Sequence, residues 1–207
     1  NSEIAAAFGS DLILLNAVDV LEPKLPGIKN QKDFVRELKK LTGRPIGVNL
    51  EPVNDDLELM GHRVEISKGR TVNEESLQKL NELGMDFVLL TGNPATGVNN
   101  ESINKAIKQA REIFDGLIFA GKMHSSGVDE DITNKEVIED FVESGVDVIL
   151  VPSIGTIQGF DQKTLKKIVK FAHSKDVLVM SAIGTSQEGA RPETIRQMAK
   201  ENKICGV

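Results

Sequence analysis

The sequence is 207 residues long, 40% hydrophobic and 27% charged, with a formal net charge of −6. That length supports one domain with a full core, and the acidic balance with scattered Lys and Arg argues against nucleic acid or anionic membrane as the main partner, since both select dense basic patches. A single cysteine, Cys205, excludes an internal disulfide and fits a reducing cytoplasm, and no apolar run approaches the roughly 20 residues of a membrane span.

The chain opens on a predicted helix, Ser2 to Phe8, followed by Gly9-Ser-Asp11 and the apolar run Leu12-Ile-Leu-Leu15. A second helix around Phe34 to Leu41 stops at Thr42-Gly43 and gives way to Pro45-Ile-Gly-Val-Asn-Leu50. Leu77, Leu80 and Leu83 keep helical spacing up to Gly84-Met-Asp86, which precedes Phe87-Val-Leu-Leu90. A helix from about Ile103 to Ile113 leads to Gly116-Leu-Ile-Phe-Ala120. Val137, Ile138, Phe141 and Val142 then lead to Gly145-Val-Asp147 and Val148-Ile-Leu-Val151. Leu165 to Ala172 precedes Val177-Leu-Val-Met180, and Pro192 to Lys200 precedes Ile204-Cys-Gly-Val207, which reads as a last strand with Cys205 buried in it. The glycines supply left-handed caps that end helices, and strands without polar alternation are buried on both faces, as in a parallel sheet covered by helices.

Seven strands alternating with helices predict parallel strands joined by right-handed crossovers. One more strand before Ser2 would make eight, the number that closes a barrel. The expected fold is therefore α/β, a (β/α)8 TIM barrel spanning 1–207 as a single domain, without its first strand and last helix. The rival, an open doubly wound sheet, normally carries a G-x-G-x-x-G fingerprint, which is not present. The long connection over residues 53–72 has no strong periodicity and reads as a lid or a plain insertion.

In a barrel of this kind the active site lies where the strands end. Those ends are polar and Gly-rich: Asn16 and Asp19; Asn49 and Glu51; Thr91 and Asn93; Lys122 and His124; Ser153, Gly155 and Thr156; Gly184, Thr185 and Ser186. The ends before the strands carry only simple caps. Glu51 closes a buried strand, where a lone carboxylate is costly, so it is expected to act as a base, hold a divalent metal with Asp19, or pair with Lys122. Lys122 and His124 share a strand face by period-two alternation and are expected to bind an anion or move protons. Gly155-Thr156 and Gly184-Thr185-Ser186 offer amides and hydroxyls to a phosphate. Each cluster also has a plainer reading as a turn, cap or structural ion pair.

Asn49-Leu-Glu-Pro52, Thr91-Gly-Asn-Pro94, Gly121-Lys-Met-His124, Pro152-Ser-Ile-Gly-Thr156 and Gly184-Thr-Ser-Gln-Glu-Gly189 together resemble an uncharacterised bacterial TIM-barrel family often catalogued as haloacid-dehalogenase-like hydrolases. More distantly, the layout is similar to phosphoenolpyruvate mutase, isocitrate-lyase-type and other phosphate-binding barrels. The resemblance implies a barrel enzyme with a hydrolase label. The residues themselves point to a small phosphorylated or carboxylated metabolite as partner and to lyase, aldolase or isomerase chemistry, with Glu51, Lys122 and His124 catalytic. Asn16, Asp19, Asn49, Thr91, Asn93, Ser153, Gly155, Thr156, Gly184, Thr185 and Ser186 would bind the ligand. No organic cofactor is evident. The alternatives are a hydrolase, metal-assisted through Asp19 and Glu51, and a non-catalytic metabolite-binding protein; a homodimer is the default assembly.

Overall fold

The computed structural model describes residues 1–57, 62–123, 130, 134–184 and 189–207. Helices and strands alternate along the chain: α1 (Ser2–Ala7), β1 (Ile13–Leu15), α2 (Phe34–Thr42), β2 (Ile46–Leu50), α3 (Glu74–Leu83), β3 (Phe87–Leu90), α4 (Asn100–Ile113), β4 (Leu117–Gly121), α5 (Lys135–Glu143), β5 (Val148–Pro152), α6 (Gln162–His173), β6 (Leu178–Ala182) and α7 (Pro192–Ile204). The strands are parallel and lie side by side in chain order, in a sheet that curls into half a barrel.

The Gly-x-Asp repeat does more than cap helices. Gly84 ends α3 in the left-handed region at φ 69°. Two residues on, the Asp86 carboxylate accepts the N–H of Ile46 at the start of β2 and the Lys39 ammonium of α2, both at 2.8 Å. Asp147 repeats the device two strands later, taking the N–H of Ile118 in β4 at 2.7 Å and the Arg111 guanidinium of α4 at 2.6 Å. Each aspartate thus locks the beginning of the preceding strand and pins a helix to it.

Alternation along the strands divides the apolar side chains into two clusters. Val48, Leu50, Val88, Leu90, Ile118 and Ala120 face the helices and pack with Leu77, Leu80, Ile103 and Ile107. Phe87, Leu89, Phe119, Val148 and Leu150 face the concave side, where the Phe87 and Phe119 rings stack at 4.8 Å. Each fully buried Leu, Ile or Phe contributes about 2 kcal/mol of apolar burial. Gly47 leaves room for this stack, because a methyl there would overlap the Phe87 ring. On the edge strands, concave-side Leu14 and Leu178 stay 41% and 61% exposed, since among the described residues nothing closes the barrel across them.

Three expectations are corrected. The sheet has six strands rather than seven, and a closed barrel is not formed by the described residues. The segment Ile204-Cys-Gly-Val207 is not a strand: α7 continues to Ile204, because Ile195, Met198, Asn202 and Cys205 form one helical stripe turned toward the protein. Cys205 is buried as expected, but in the turn after α7, with its thiol 3.8 Å from the Gln162 carbonyl.

The described parts of the 53–72 connection are tied down. Arg63 donates to the carbonyls of Asn54, Asp55 and Leu57, and Val64 N–H bonds to Ala95 O. Lys68–Arg70 forms a 3-10 turn and Thr71 bridges to Glu51. Among the described residues no helix is long and apolar enough to cross a membrane.

Candidate functional site

Strand parity sorts the candidate residues into two groups. Asn16, Asn49, Glu51 and Thr91 each follow a helix-facing residue, so they belong to the concave mouth. Lys122 and Ser153 fall on the opposite parity, toward the helices.

At the mouth, Glu51 is 1% exposed and both its oxygens are engaged. Oε1 accepts Arg70 Nη2 at 2.9 Å and Asn93 Nδ2 at 2.8 Å, while Oε2 accepts the backbone N–H of Asn93 at 2.8 Å. Arg70 stands at the end of the 3-10 turn, whose backbone also receives Glu51 N–H at 2.8 Å. Asn93 continues the network to Asn16, whose Nδ2 donates to Asn93 Oδ1 at 3.0 Å. Asn16 Oδ1 in turn accepts Asn49 Nδ2 and Asn93 Nδ2, both at 3.2 Å, and Ala17 N–H at 2.9 Å. Ala17 and Ala95, in the loops that carry Asn16 and Asn93, hold φ of 58° and 64°, a strained region for alanine. Thr91 is buried at the end of β3.

Asp19 lies half-buried beside this group but has its own partners. It accepts the N–H groups of Leu21 and Glu22, both at 2.9 Å, and touches the backbone at Gly69, where a side chain would collide with it. Burial pushes the Asp19 carboxyl up, but the Ser67 hydrogen bond, the two N–H groups and nearby Lys24 outweigh it and hold it below its ordinary value. The plainer reading, a loop-capping aspartate, is what it does. Asp19 and Glu51 do not form the metal pair considered from sequence: Glu51 is filled by three donors, one of them cationic. Among the described residues no three His, Cys, Asp or Glu side chains converge as metal ligands.

Lys122 is set apart from Glu51. Its side chain is 1% exposed, and its ammonium bonds to Val98 O at 3.2 Å and forms an ion pair with Glu130. Glu130 also accepts the backbone N–H of Asn100 at the first turn of α4, at 3.0 and 3.1 Å. Burial pulls the Lys122 ammonium below its ordinary value, and Glu130 opposes that without cancelling it. The expected Glu51–Lys122 pair is thus replaced by two pairs, Glu51–Arg70 and Lys122–Glu130, at the two ends of the segment between β3 and α4. His124, Thr185 and Ser186 lie outside the described residues; Gly184 is half-buried at the edge of them.

The loop after β5 is committed to α7. Ser153 Oγ accepts Asn202 Nδ2 at 2.7 Å, and Ile154 N–H reaches Asn202 Oδ1 at 3.3 Å. Thr156 turns its hydroxyl and its N–H back to Ser153 O, at 2.6 and 3.2 Å. The amide and the hydroxyl of Thr156, both expected to receive a phosphate, are therefore occupied; Gly155 itself is exposed with φ 82°. A cleft of about 500 Å³ opens between the segment from Pro52 to Asp56 and α4; its lining does not include Glu51, Asn16, Asn49 or Asn93.

Sequence reasoning missed Arg70, Glu130 and Asn202. Only Asn202 left a signal: a polar residue on the otherwise apolar stripe of α7 needs a buried partner.

A search of curated proteins finds none that matches. Among solved structures, the crystal structure of the citrate synthase SbnG is similar at 12% identity, with 97% of this chain and 77% of that chain covered and a TM-score of 0.48; at that level the likeness carries no reaction across. The comparisons hold no link to haloacid-dehalogenase-like hydrolases or phosphoenolpyruvate mutase. Over residues 1–207 the sequence matches the model of the family described as Domain of unknown function (DUF7916), and the chain belongs to that family.

Proposed function

We propose that the chain is a barrel enzyme that binds a small carboxylated or phosphorylated metabolite at the concave mouth and carries out acid–base chemistry of the lyase or isomerase kind. The observation that supports this reading is the asparagine cluster, Asn16, Asn49 and Asn93, held in register by the Glu51–Arg70 pair. A side-chain network of this size, on strained loops, at the end of the sheet where barrels place their sites, is more than fold maintenance needs. Glu51 acts here as a positioning residue, because its oxygens already hold Asn93 and Arg70. His124 is the remaining acid–base candidate, and Gly184, Thr185 and Ser186 the remaining anion loop. A cytoplasmic setting belongs to the same reading.

So does an eight-stranded barrel. Asp86 and Asp147 each grip the start of a preceding strand, and Asp11, the third copy of the motif, is exposed at the free edge of β1, placed to do the same for a strand beside it.

The test is a thermal-shift screen against small carboxylates and phosphates, followed by NMR of each binder in D2O. Exchange of a carbon-bound proton next to a carbonyl is the expected result. Failure of every acid to bind would end the reading. Binding without exchange or turnover would favour the second reading, a non-catalytic metabolite-binding protein, which is supported by the pairing of Glu51 and Lys122 with protein partners rather than leaving them to a substrate.

A further inference from the structure

The hydrogen-bond network at the mouth has a direction. Facing Arg70, the Glu51 carboxylate acts only as an acceptor, so Asn93 must turn its amide nitrogen toward it, Nδ2 to Oε1 at 2.8 Å. Asn93 Oδ1 then faces Asn16 and takes its Nδ2 at 3.0 Å. That fixes Asn16 Oδ1 as an acceptor, shared by Asn93 Nδ2 and the Asn49 amide nitrogen, each at 3.2 Å. Asn49 has thereby committed its donor, and its own Oδ1 is left over. This oxygen is fully buried and among the described residues has no hydrogen-bond partner, on a residue only 4% exposed at the concave face. Buried acceptors are almost always satisfied, and leaving one unmet is costly.

We infer that Asn49 Oδ1 accepts a hydrogen bond from a hydroxyl or amine of the bound metabolite, so that the site selects acids carrying such a donor. The charge on Glu51 sets this preference from a distance, through two asparagines whose orientations it dictates. Arg70, the cation in contact with this network, is already paired with Glu51, and Lys122, behind the sheet, with Glu130. The β1–β3 side of the mouth therefore reads the donor end of the ligand, and its anionic end lies toward the later strands. A site built around a polar partner rejects an analogue lacking that partner far more strongly than an apolar pocket rejects a missing methylene. The inference rests on the proposed metabolite site and adds the feature by which it discriminates.

Calorimetric titration with matched probes tests it. Glycerol 3-phosphate is compared with propyl phosphate and glycerate with propionate for a hydroxyl; phosphoethanolamine is compared with ethyl phosphate and β-alanine with propionate for an amine. The donor-bearing member of at least one pair should bind 10-fold or more tightly than its partner. Asn49→Leu, of similar shape, should erase that preference while melting no lower than the parent protein, since it removes an unmet acceptor. Should Asn49→Leu fail to fold, Asn49→Ala carries the same comparison. Equal affinities within every pair, no binding of any donor-bearing probe, or a preference that survives the substitution would overturn the inference. Acids that bind without regard to a donor would do so while leaving the proposed function intact; only the failure of all acids would remove both.

Discussion

Asn93 donates to Glu51 through both of its nitrogens, the backbone one to Oε2 and the side-chain one to Oε1, each at 2.8 Å. One carboxylate thereby fixes the position of the loop after β3 and the orientation of its asparagine. Replacing Glu51 by Ala would strip Arg70 and Asn93 of their shared acceptor in a buried setting. The expected cost is about 3 kcal/mol, the usual penalty for breaking one side of a buried pair. Urea denaturation measures it. Glu51→Gln should lose less stability but weaken ligand binding, because an amide can present a donor to Asn93 and scramble the asparagine orientations.

Lys122 carries a pH signature. Its ammonium titrates below the ordinary 10.5 in the folded protein, chiefly through burial, whereas the unfolded chain keeps the ordinary value. In the window between the depressed value and 10.5, the unfolded state binds more protons, so this group's contribution makes stability rise with pH; below the window its full destabilising effect is present. Melting curves of the parent protein and of Lys122→Met, recorded from neutral pH up to that window, should separate further as pH rises, because only the parent sheds the penalty of a buried ammonium. The substitution itself should cost about 1–3 kcal/mol near neutrality or less, since it leaves Glu130 its backbone partner at Asn100. A gap that stays constant or narrows with pH would contradict the assignment.

Asn202 ties α7 to the loop after β5 through Ser153 Oγ and Ile154 N–H. Asn202→Leu keeps the bulk and deletes both bonds, leaving two buried polar groups unmet. A loss of about 2 kcal/mol is expected, with faster amide exchange at Ile154. Exchange at Asp147, on the opposite end of β5, should stay unchanged.

Gly121 sits at φ 146° in a backbone that passes directly against the Leu150 carbonyl of β5. A methyl there would overlap that oxygen, so Gly121→Ala must break the β4–β5 pairing or move Lys122. The expected loss exceeds about 3 kcal/mol, among the largest that one methyl can cause. Circular dichroism at rising temperature would show it.

The strands were legible because an apolar run announces each of them, and a glycine at positive φ also precedes β1, β2, β3 and β5. Phe87–Leu90 matches its sequence run residue for residue, and the others lie within one or two residues of theirs. Ile204 to Val207 misled because four apolar or small residues after a lysine resemble a strand, while the helical stripe through Asn202 contains a polar member that hides its period. The site was harder to read. Asn49 and Glu51 were grouped as the end of one strand, and alternation does put them on one face, yet the same rule, applied across β4, turns Lys122 away from them. Arg70 and Glu130 lie in stretches with neither helical nor strand periodicity, so nothing local marked them as the partners of Glu51 and Lys122. Charge pairing is a long-range fact, and a single sequence lists the charges without matching them.

The strand order has a consequence for how the molecule is made. Since every strand pairs with the next one along the chain, each unit leaving the ribosome finds its template already emerged, and no strand must wait for a distant segment. The aspartates at positions 86 and 147 act as checkpoints in that succession: each becomes available only when its own strand arrives, and it then clamps the strand made just before. Vectorial assembly of this kind predicts that chains halted after β5 already protect β2 to β4 against proteolysis.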